Sequence, residues 1–490
     1  MTALPQGPLI AWYGDDFTGS AATMEALTFA GLPAALFFDI PRPEQLARFP
    51  GLRGIGIAGI ARSQPPAWMR THLPPIFASL RETGAPLIHY KICSTFDSSP
   101  TTGSIGTAIE IGLDIFGNGW IPLITAAPAI HRYQAFGNLF ATVAGTGYRL
   151  DRHPTMSRHP VTPMHEADLG RHLAAQTALP TGVVDFVAMK AGRADAVLAQ
   201  RRAEGARILS LDIVDQETLA EAGRLVWEHR APIGVTASIH PQSPAAKTVA
   251  NEAVIPMGTH REPPQFVVGS QGVEYALIAH WQSRGLMPVV ETPPVAKRAD
   301  RVVAVSGSCS PVTAEQIAWA EAHGFEGIRL DPTAAVDAER WAAEMEAGLG
   351  RALQALSSGR DPVIFTARGP DDPSVAALSA AVAAAGASAE GVNDRIGRGL
   401  GRMLDRIMRT AGIDRGIIAG GDTSSHAALA LGVYALTALA ATVPGAALFK
   451  AHAEDPAHRD LELALKGGQM GTPDYFGRIK AGGHPISPTV

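Results

Sequence analysis

Trp12-Tyr13-Gly14-Asp15-Asp16-Phe17-Thr18-Gly19-Ser20 follows the apolar run 9–11 and places two carboxylates where a first strand should end. In open α/β sheets ligands collect outside the carboxyl ends of the strands, so Asp15 and Asp16 stand where chemistry is usually done. Thr18 and Gly19 pass the chain to 20–30, in which Ala22, Met24, Leu27 and Ala30 give a helix one buried face, and Gly31 supplies the stop. The unit reads strand, acidic turn, helix. By itself the pair also fits a plainer role, one aspartate capping the helix and the other solvated.

Working outward, short apolar runs at 55–60, 87–92, 121–125, 182–186, 208–213 and 232–236 alternate with helical segments, the pattern of a largely parallel sheet covered by helices. A second series, 301–305, 327–330, 362–366, 416–419 and 462–465, repeats the plan beyond a proline-rich, charged stretch at 289–300. The expected architecture is α/β, two α/β domains with largely parallel sheets and an active site in the cleft between them. Their spans are 1–290 and 300–482, with the boundary near Pro294. A chain of 490 residues exceeds one ordinary core, and 46% hydrophobic against 18% charged residues fits a chain folded throughout.

A net charge of -5 gives no basic field, so neither nucleic acid nor a membrane surface is an expected partner. Cys93 and Cys309 are the only cysteines, and the first residues lack a secretory signal, which points to the cytoplasm. The long apolar run 427–443 contains Gly432, Thr437 and Thr442 and is expected as a buried helix rather than a span.

In the second half, 302–305 runs into Ser306-Gly307-Ser308-Cys309-Ser310-Pro311 and a helix to about residue 323. Small residues before a helix N-terminus let backbone N–H groups approach an anion, and the helix dipole adds attraction. Ile417-Ile418-Ala419-Gly420-Gly421-Asp422-Thr423-Ser424 repeats that design. Lys466-Gly467-Gly468-Gln469-Met470-Gly471 brings a cation and glycines to a third strand end. Three such loops favour a nucleotide with several phosphates, although no G-x-x-x-x-G-K-[ST] loop occurs and no clean G-x-G-x-x-G follows a strand. The glycines of 397–401 follow Asn393-Asp394-Arg395 rather than a strand, and are expected at a helix start.

The first half carries a dense hydroxyl loop, Cys93-Ser94-Thr95-Phe96-Asp97-Ser98-Ser99 and onward to Gly106, with Lys91 just before it. Hydroxyls and a cation suit a polyol bearing a carboxylate, and Arg62 could add a bidentate contact to the same group. His153, His159 and His165 recur at even spacing, but match no usual zinc pattern; Thr162-Pro163 should instead cap a helix at 164–176.

Taken in order, Gly14-Asp15-Asp16-Phe17-Thr18-Gly19, the stretch 91–106, His159-Pro160-Val161-Thr162-Pro163-Met164, 267–275, Ser306-Gly307-Ser308-Cys309-Ser310, Gly420-Gly421-Asp422-Thr423 and 463–468 make the chain resemble the four-carbon acid sugar kinases over nearly its whole length. That family includes threonate, erythronate and oxo-tetronate kinases and enzymes acting on 3-oxo-isoapionate. The resemblance implies a substrate domain followed by a nucleotide domain, and Mg2+ and ATP as cofactors. It implies that Ser308, Gly420, Gly421, Asp422, Thr423, Gly467 and Gly468 contact ATP. It also implies that Asp16, Arg62, Lys91, Ser94 and Asp97 face the acid sugar.

Asp16 is the expected catalytic base, with Asp15 second; magnesium ligands are not assigned, and a homodimer is compatible. The commoner family pattern has Ala before the two aspartates and Thr-Asp or Asn-Asp soon after the second Gly. Here Gly14 precedes them and Ser20-Ala21-Ala22 follows, which leaves the particular acid open. A nicotinamide-dependent sugar-acid dehydrogenase and a non-catalytic sensor are the rival readings. The missing dinucleotide fingerprint weighs against the first, and the paired aspartates against the second.

Overall fold

Ile10–Gly14 (β1) is buried along its whole length, as a strand covered on both faces must be. The computed structural model describes residues 3–117, 119–143, 145–159, 161–230, 263–443 and 445–483, without the side chains of Asp422 and Ser425. In the first half β2 (Ala34–Phe37), β3 (Gly54–Ala58), β4 (Leu87–Lys91) and β5 (Ile121–Ile124) follow β1. A small antiparallel sheet comes next: β6 (Arg132–Ala135), β7 (Asn138–Val143) and β8 (Thr146–Arg149). Then come β9 (Thr181–Val184), β10 (Ile208–Leu211) and β11 (Gln265–Gly269). The second half supplies β12 (Val303–Ser306), β13 (Phe325–Arg329), β14 (Asp361–Phe365), β15 (Arg415–Ala419), β16 (Val433–Ala440), β17 (Leu448–Ala453) and β18 (Glu462–Lys466).

Both halves are α/β, and their strands join in one sheet of fifteen, ordered β13-β14-β12-β15-β18-β17-β16-β2-β3-β1-β4-β11-β5-β10-β9. The seam is antiparallel, with Ala435 opposite Phe37 and Leu436 opposite Leu36. Three antiparallel pairings in succession, β2 to β16, β16 to β17 and β17 to β18, reverse the sense of the second half relative to the first. Twist of roughly 20–25° per strand accumulates across these ladders. The loop after β18 thereby meets the helix after β1: a Cβ built on Gly467 would lie 3.7 Å from Thr18 Cγ2.

Several expectations change. The run 427–443 is not one helix: Gly421–Ala430 is helical, Gly432 turns the chain at φ +68°, and β16 follows. An unbroken apolar run cannot by itself distinguish the two. The helix expected at 164–176 is only Leu169–Ala174, because Asp168, rather than Thr162, accepts from the Arg171 N–H and caps it. Gly397, Gly399 and Gly401 lie inside the helix Ala389–Ala411, not at its start. They let it pack closely: a Cβ on Gly401 would sit 2.6 Å from Ala427 Cα, and one on Gly399 2.4 Å from Trp341 Nε1. The strand expected at 232–236 lies outside the described residues.

Candidate active site

Parallel register decides which residues meet. Gly14 is paired with Ala58 on one side and Lys91 on the other, so β1, β3 and β4 end together. The Asp15 N–H donates to the Lys91 carbonyl at 2.9 Å, and the Arg62 N–H donates to the Asp15 carbonyl at 3.0 Å. Asp16 takes the N-cap position of Phe17–Phe29, its Oδ1 accepting from the Gly19 N–H at 3.1 Å. The capping role therefore falls to the same residue that the sequence offers as catalytic base.

Gly14 is required by Ser20. A Cβ at Gly14 would lie 1.8 Å from Ser20 Oγ, which donates to the Asp16 carbonyl at 2.6 Å.

Arg62 forks across both carboxylates: Nη2 reaches Asp15 Oδ1 at 2.6 Å and Asp16 Oδ1 at 2.7 Å, and Nε donates to Asp15 Oδ2 at 3.3 Å. Arg62, expected to face the substrate carboxylate, here binds the aspartate pair. Burial, then the neighbouring Asp16 charge, push Asp15 above the usual carboxylate range despite Arg62. Burial also acts to raise Asp16, but Arg62, Lys91 and the Gly19 N–H outweigh it and hold this carboxyl below its ordinary value. Environments that split a carboxylate pair in this way set apart a proton-holding and an ionised member.

Lys91 is buried, and among the described residues its ammonium has no hydrogen bond or ion pair. It points at the first turn of the helix: a Cβ on Gly19 would be 2.0 Å from Nζ and 2.5 Å from Asp16 Oδ1. Its charge is felt by both Asp15 and Asp16, but it makes no direct ion pair with either.

The hydroxyl loop divides by role. Ser98 bonds the Phe96 carbonyl and His172, and Ser104 caps Ile105–Phe116, so these two are structural. Phe96 sits at φ +60°, which turns Asp97 back to accept from Thr95 Oγ1 at 2.7 Å. Ser94 is half-buried and its hydroxyl has no partner among the described residues. His153 Nδ1 accepts from the Thr155 and Met156 N–H groups and His159 Nδ1 from the Thr162 N–H, so both rings brace their loop.

The second cluster follows the same logic. Ser306 pairs with Ala419, and Ala419 with Lys466, so β12, β15 and β18 end at one level. Gly420 turns there at φ +124°, and its N–H donates to the Lys466 carbonyl at 2.9 Å. Ser308 Oγ accepts from the Ser310 N–H and from Thr313 Oγ1. A Cβ on Gly468 would be 2.8 Å from Ser308 Oγ, and one on Gly307 2.3 Å from Thr423 Oγ1, so the three loops already touch. A Cβ on Gly421 would meet nothing within 4 Å, which marks the open side of the turn. Of Asp422 only the backbone is described.

Lys466, expected from the sequence only as a cation at the third loop, is absent from the residues expected to contact ATP. Sequence reasoning missed Arg132 on β6, which lies close enough to Cys93 and Asp97 to feel their charge and has a buried Nε–H without a partner. Its strand belongs to the small sheet that no periodic signal announced.

An ionised carboxylate facing a free cation, beside a glycine-lined anion cradle at adjoining strand ends, has the parts of a phosphotransferase. Residues 10–239 match a family model described as a sugar-binding N-terminal domain, and 303–476 one described as a nucleotide-binding C-terminal domain. A 3-oxo-isoapionate kinase of Paraburkholderia graminis is 45% identical over 98% of this chain and 96% of its own length. A 3-oxo-tetronate kinase of Burkholderia multivorans is 28% identical over 97% of each chain. A solved structure from Salmonella typhimurium LT2 shares the fold with a TM-score of 0.69 at 24% identity, covering 96% of this chain and 99% of that one. The chain belongs to the four-carbon acid sugar kinase family.

Proposed function

We propose that the chain transfers the γ-phosphoryl group of ATP to a hydroxyl of a small acid sugar, with the branched acid 3-oxo-isoapionate the first candidate. The identity to a kinase of that name supports this choice. The observation that carries the reading is the approach of the two clusters, Gly467 beside Thr18, with Asp16 and the free Lys91 on one side of the contact. In this reading residues 1–290 hold the acid sugar, 300–482 the nucleotide, and the reaction takes place between them.

Phosphoryl transfer needs positioning and charge neutralisation more than covalent chemistry. Asp16, ionised and half-exposed with Oδ2 free among the described residues, orients and accepts the proton of the attacking hydroxyl. Arg62 holds Asp15 and Asp16 in place, Lys91 meets the substrate carboxylate, and Ser94 and Asp97 meet its hydroxyls. The loops at Ser308, Gly420 to Thr423, Gly467 and Gly468 receive the phosphates, through N–H groups other than those of Gly420 and Ser308, which already donate to the Lys466 carbonyl and Ser306 Oγ. When bound, Mg2+ would supply charge neutralisation on those phosphates, with Asp16 the carboxylate available to hold it; Asp15 is buried, bonded to Arg62 through both oxygens and pushed toward protonation.

The test is ADP release from Mg-ATP in the presence of 3-oxo-isoapionate, the 2- and 3-oxo-tetronates, threonate and erythronate. One acid should stimulate release, and Asp16→Ala should lower turnover by about 10²–10⁴ with nucleotide affinity unchanged. A fully active Asp16→Ala variant removes Asp16 from the role, and no stimulation by any of these acids rejects the substrate class.

A further inference from the structure

Lys466 ends β18 with its side chain at 0% exposure. Its ammonium donates to Thr313 Oγ1 at 3.0 Å and to the Gly467 carbonyl at 3.1 Å, and reaches the Gly468 carbonyl at 3.5 Å. All three acceptors are neutral, and among the described residues Lys466 takes part in no ion pair. A buried charge without a counter-charge is costly, and proteins normally pair it. Burial alone pushes this amine down to about 8. Thr313 and Gln316 of the helix Pro311–Ala322, Ser308 of the loop after β12, and Gly420 after β15 surround this end of β18, and none of them titrates.

The same ammonium ties the cradle together. It holds the Gly467 and Gly468 carbonyls to Thr313, whose hydroxyl lies 3.0 Å from Ser308 Oγ and 3.2 Å from the Gly468 carbonyl. Those carbonyls are taken up by Lys466, while the Gly467 and Gly468 N–H groups have no backbone acceptor among the described residues. A cation beneath and N–H donors above make a site short of one negative charge, and phosphate supplies it.

We propose that Lys466 is a positioning residue of the phosphate cradle, a buried ammonium whose counter-charge is the phosphate of the bound nucleotide, and that nucleotide binding draws a proton onto it. The proposal rests on the kinase reading above and assigns a role to a residue outside the expected ATP contacts. At neutral pH the amine is mostly charged. As pH rises through about 8 the free protein loses that charge, whereas the nucleotide complex retains it, so affinity falls and binding takes up protons.

The experiment is calorimetric titration of the full chain with a non-hydrolysable ATP analogue and Mg2+ at about pH 8.5, above the titration of free Lys466 and of the phosphates. Two buffers of different ionisation enthalpy separate proton uptake from binding heat. A substantial fraction of one proton should be taken up per nucleotide, and none by Lys466→Met. That variant should bind the analogue at least about tenfold more weakly, keep its affinity for the acid sugar, and melt no lower than the parent, since an unpaired buried charge has been removed. Lys466→Arg should restore part of the affinity without the pH dependence. Binding by the parent without proton uptake overturns the proposal, as does Lys466→Met binding with parental affinity. Absence of any binding heat in the parent overturns the nucleotide reading itself, and the proposal with it.

Discussion

Asp15 and Asp16 are neighbours in sequence with opposite fates because one faces the sheet interior and the other the helix N-terminus. Asp15 is buried and pushed toward protonation; Asp16 collects the Gly19 N–H, Arg62 and the Lys91 charge and stays ionised. The turn that holds them is tight enough to predict a compensating pair. Gly14→Ala should destabilise the fold through its clash with Ser20 Oγ, and adding Ser20→Ala should recover only part of the loss, because the Ser20 Cβ would still lie 2.8 Å away. Urea unfolding of the single and double variants checks this, and strictly additive losses would show that the contact does not matter. At Gly421 the expectation is reversed, since a Cβ there enters open space. Gly421→Val should melt near the parent temperature yet lose nucleotide affinity by at least about tenfold; unchanged affinity by calorimetry would move the nucleotide away from this turn. The carboxylate pair and the glycine turns could be read from the sequence because each is local. Arg62's attachment to the pair could not, since it depends on β1 and β3 lying side by side.

At the scale of elements, side-chain size sets how closely helices approach. Gln216–Glu228 packs on Gly272–Ser283 with Trp227 and Trp281 edge to face at 5.0 Å, and a Cβ on Gly223 would lie 1.9 Å from the Ala276 carbonyl oxygen. Gly223→Val should therefore cost about 1–3 kcal/mol or more. Gly223 belongs to neither cluster, although its partner helix begins just after Gly269, the neighbour of Lys91; kcat per folded molecule should change far less than stability, and denaturant unfolding with active-site titration separates the two effects. The strand-loop-helix units at β1, β12 and β15 were legible, since apolar runs, small loop residues and helix signals sit next to each other in sequence. Four-residue β2 was missed, as were β16 and β17. Their hydrophobicity suits helix and strand alike, and only the partner strand decides.

At the scale of the whole molecule, the seam joining the two halves buries a carboxylate. Glu25 on the first helix accepts from the Gly445 N–H through both oxygens, at 3.2 and 3.1 Å, and burial pushes its carboxyl up to about 8. The folded state then holds a proton that the unfolded chain has released, so stability is greatest below the ordinary carboxylate value and falls as pH rises toward about 8. Glu25→Gln keeps an acceptor and removes the titration. Its unfolding free energy, followed from about pH 5 to pH 8.5, should decline less than the parent's, and parallel curves would clear Glu25 of this effect. The sequence by itself determined the α/β character, the order of the motifs and the strand-loop-helix units at β1, β12 and β15, because these depend on residues a few positions apart. The tertiary structure alone decided that the two halves share one sheet, that Arg62 serves the aspartates while Lys91 stays free, and that Lys466 is buried without a counter-charge. Each of those outcomes depends on strand register and burial, which bring together residues tens to hundreds of positions apart.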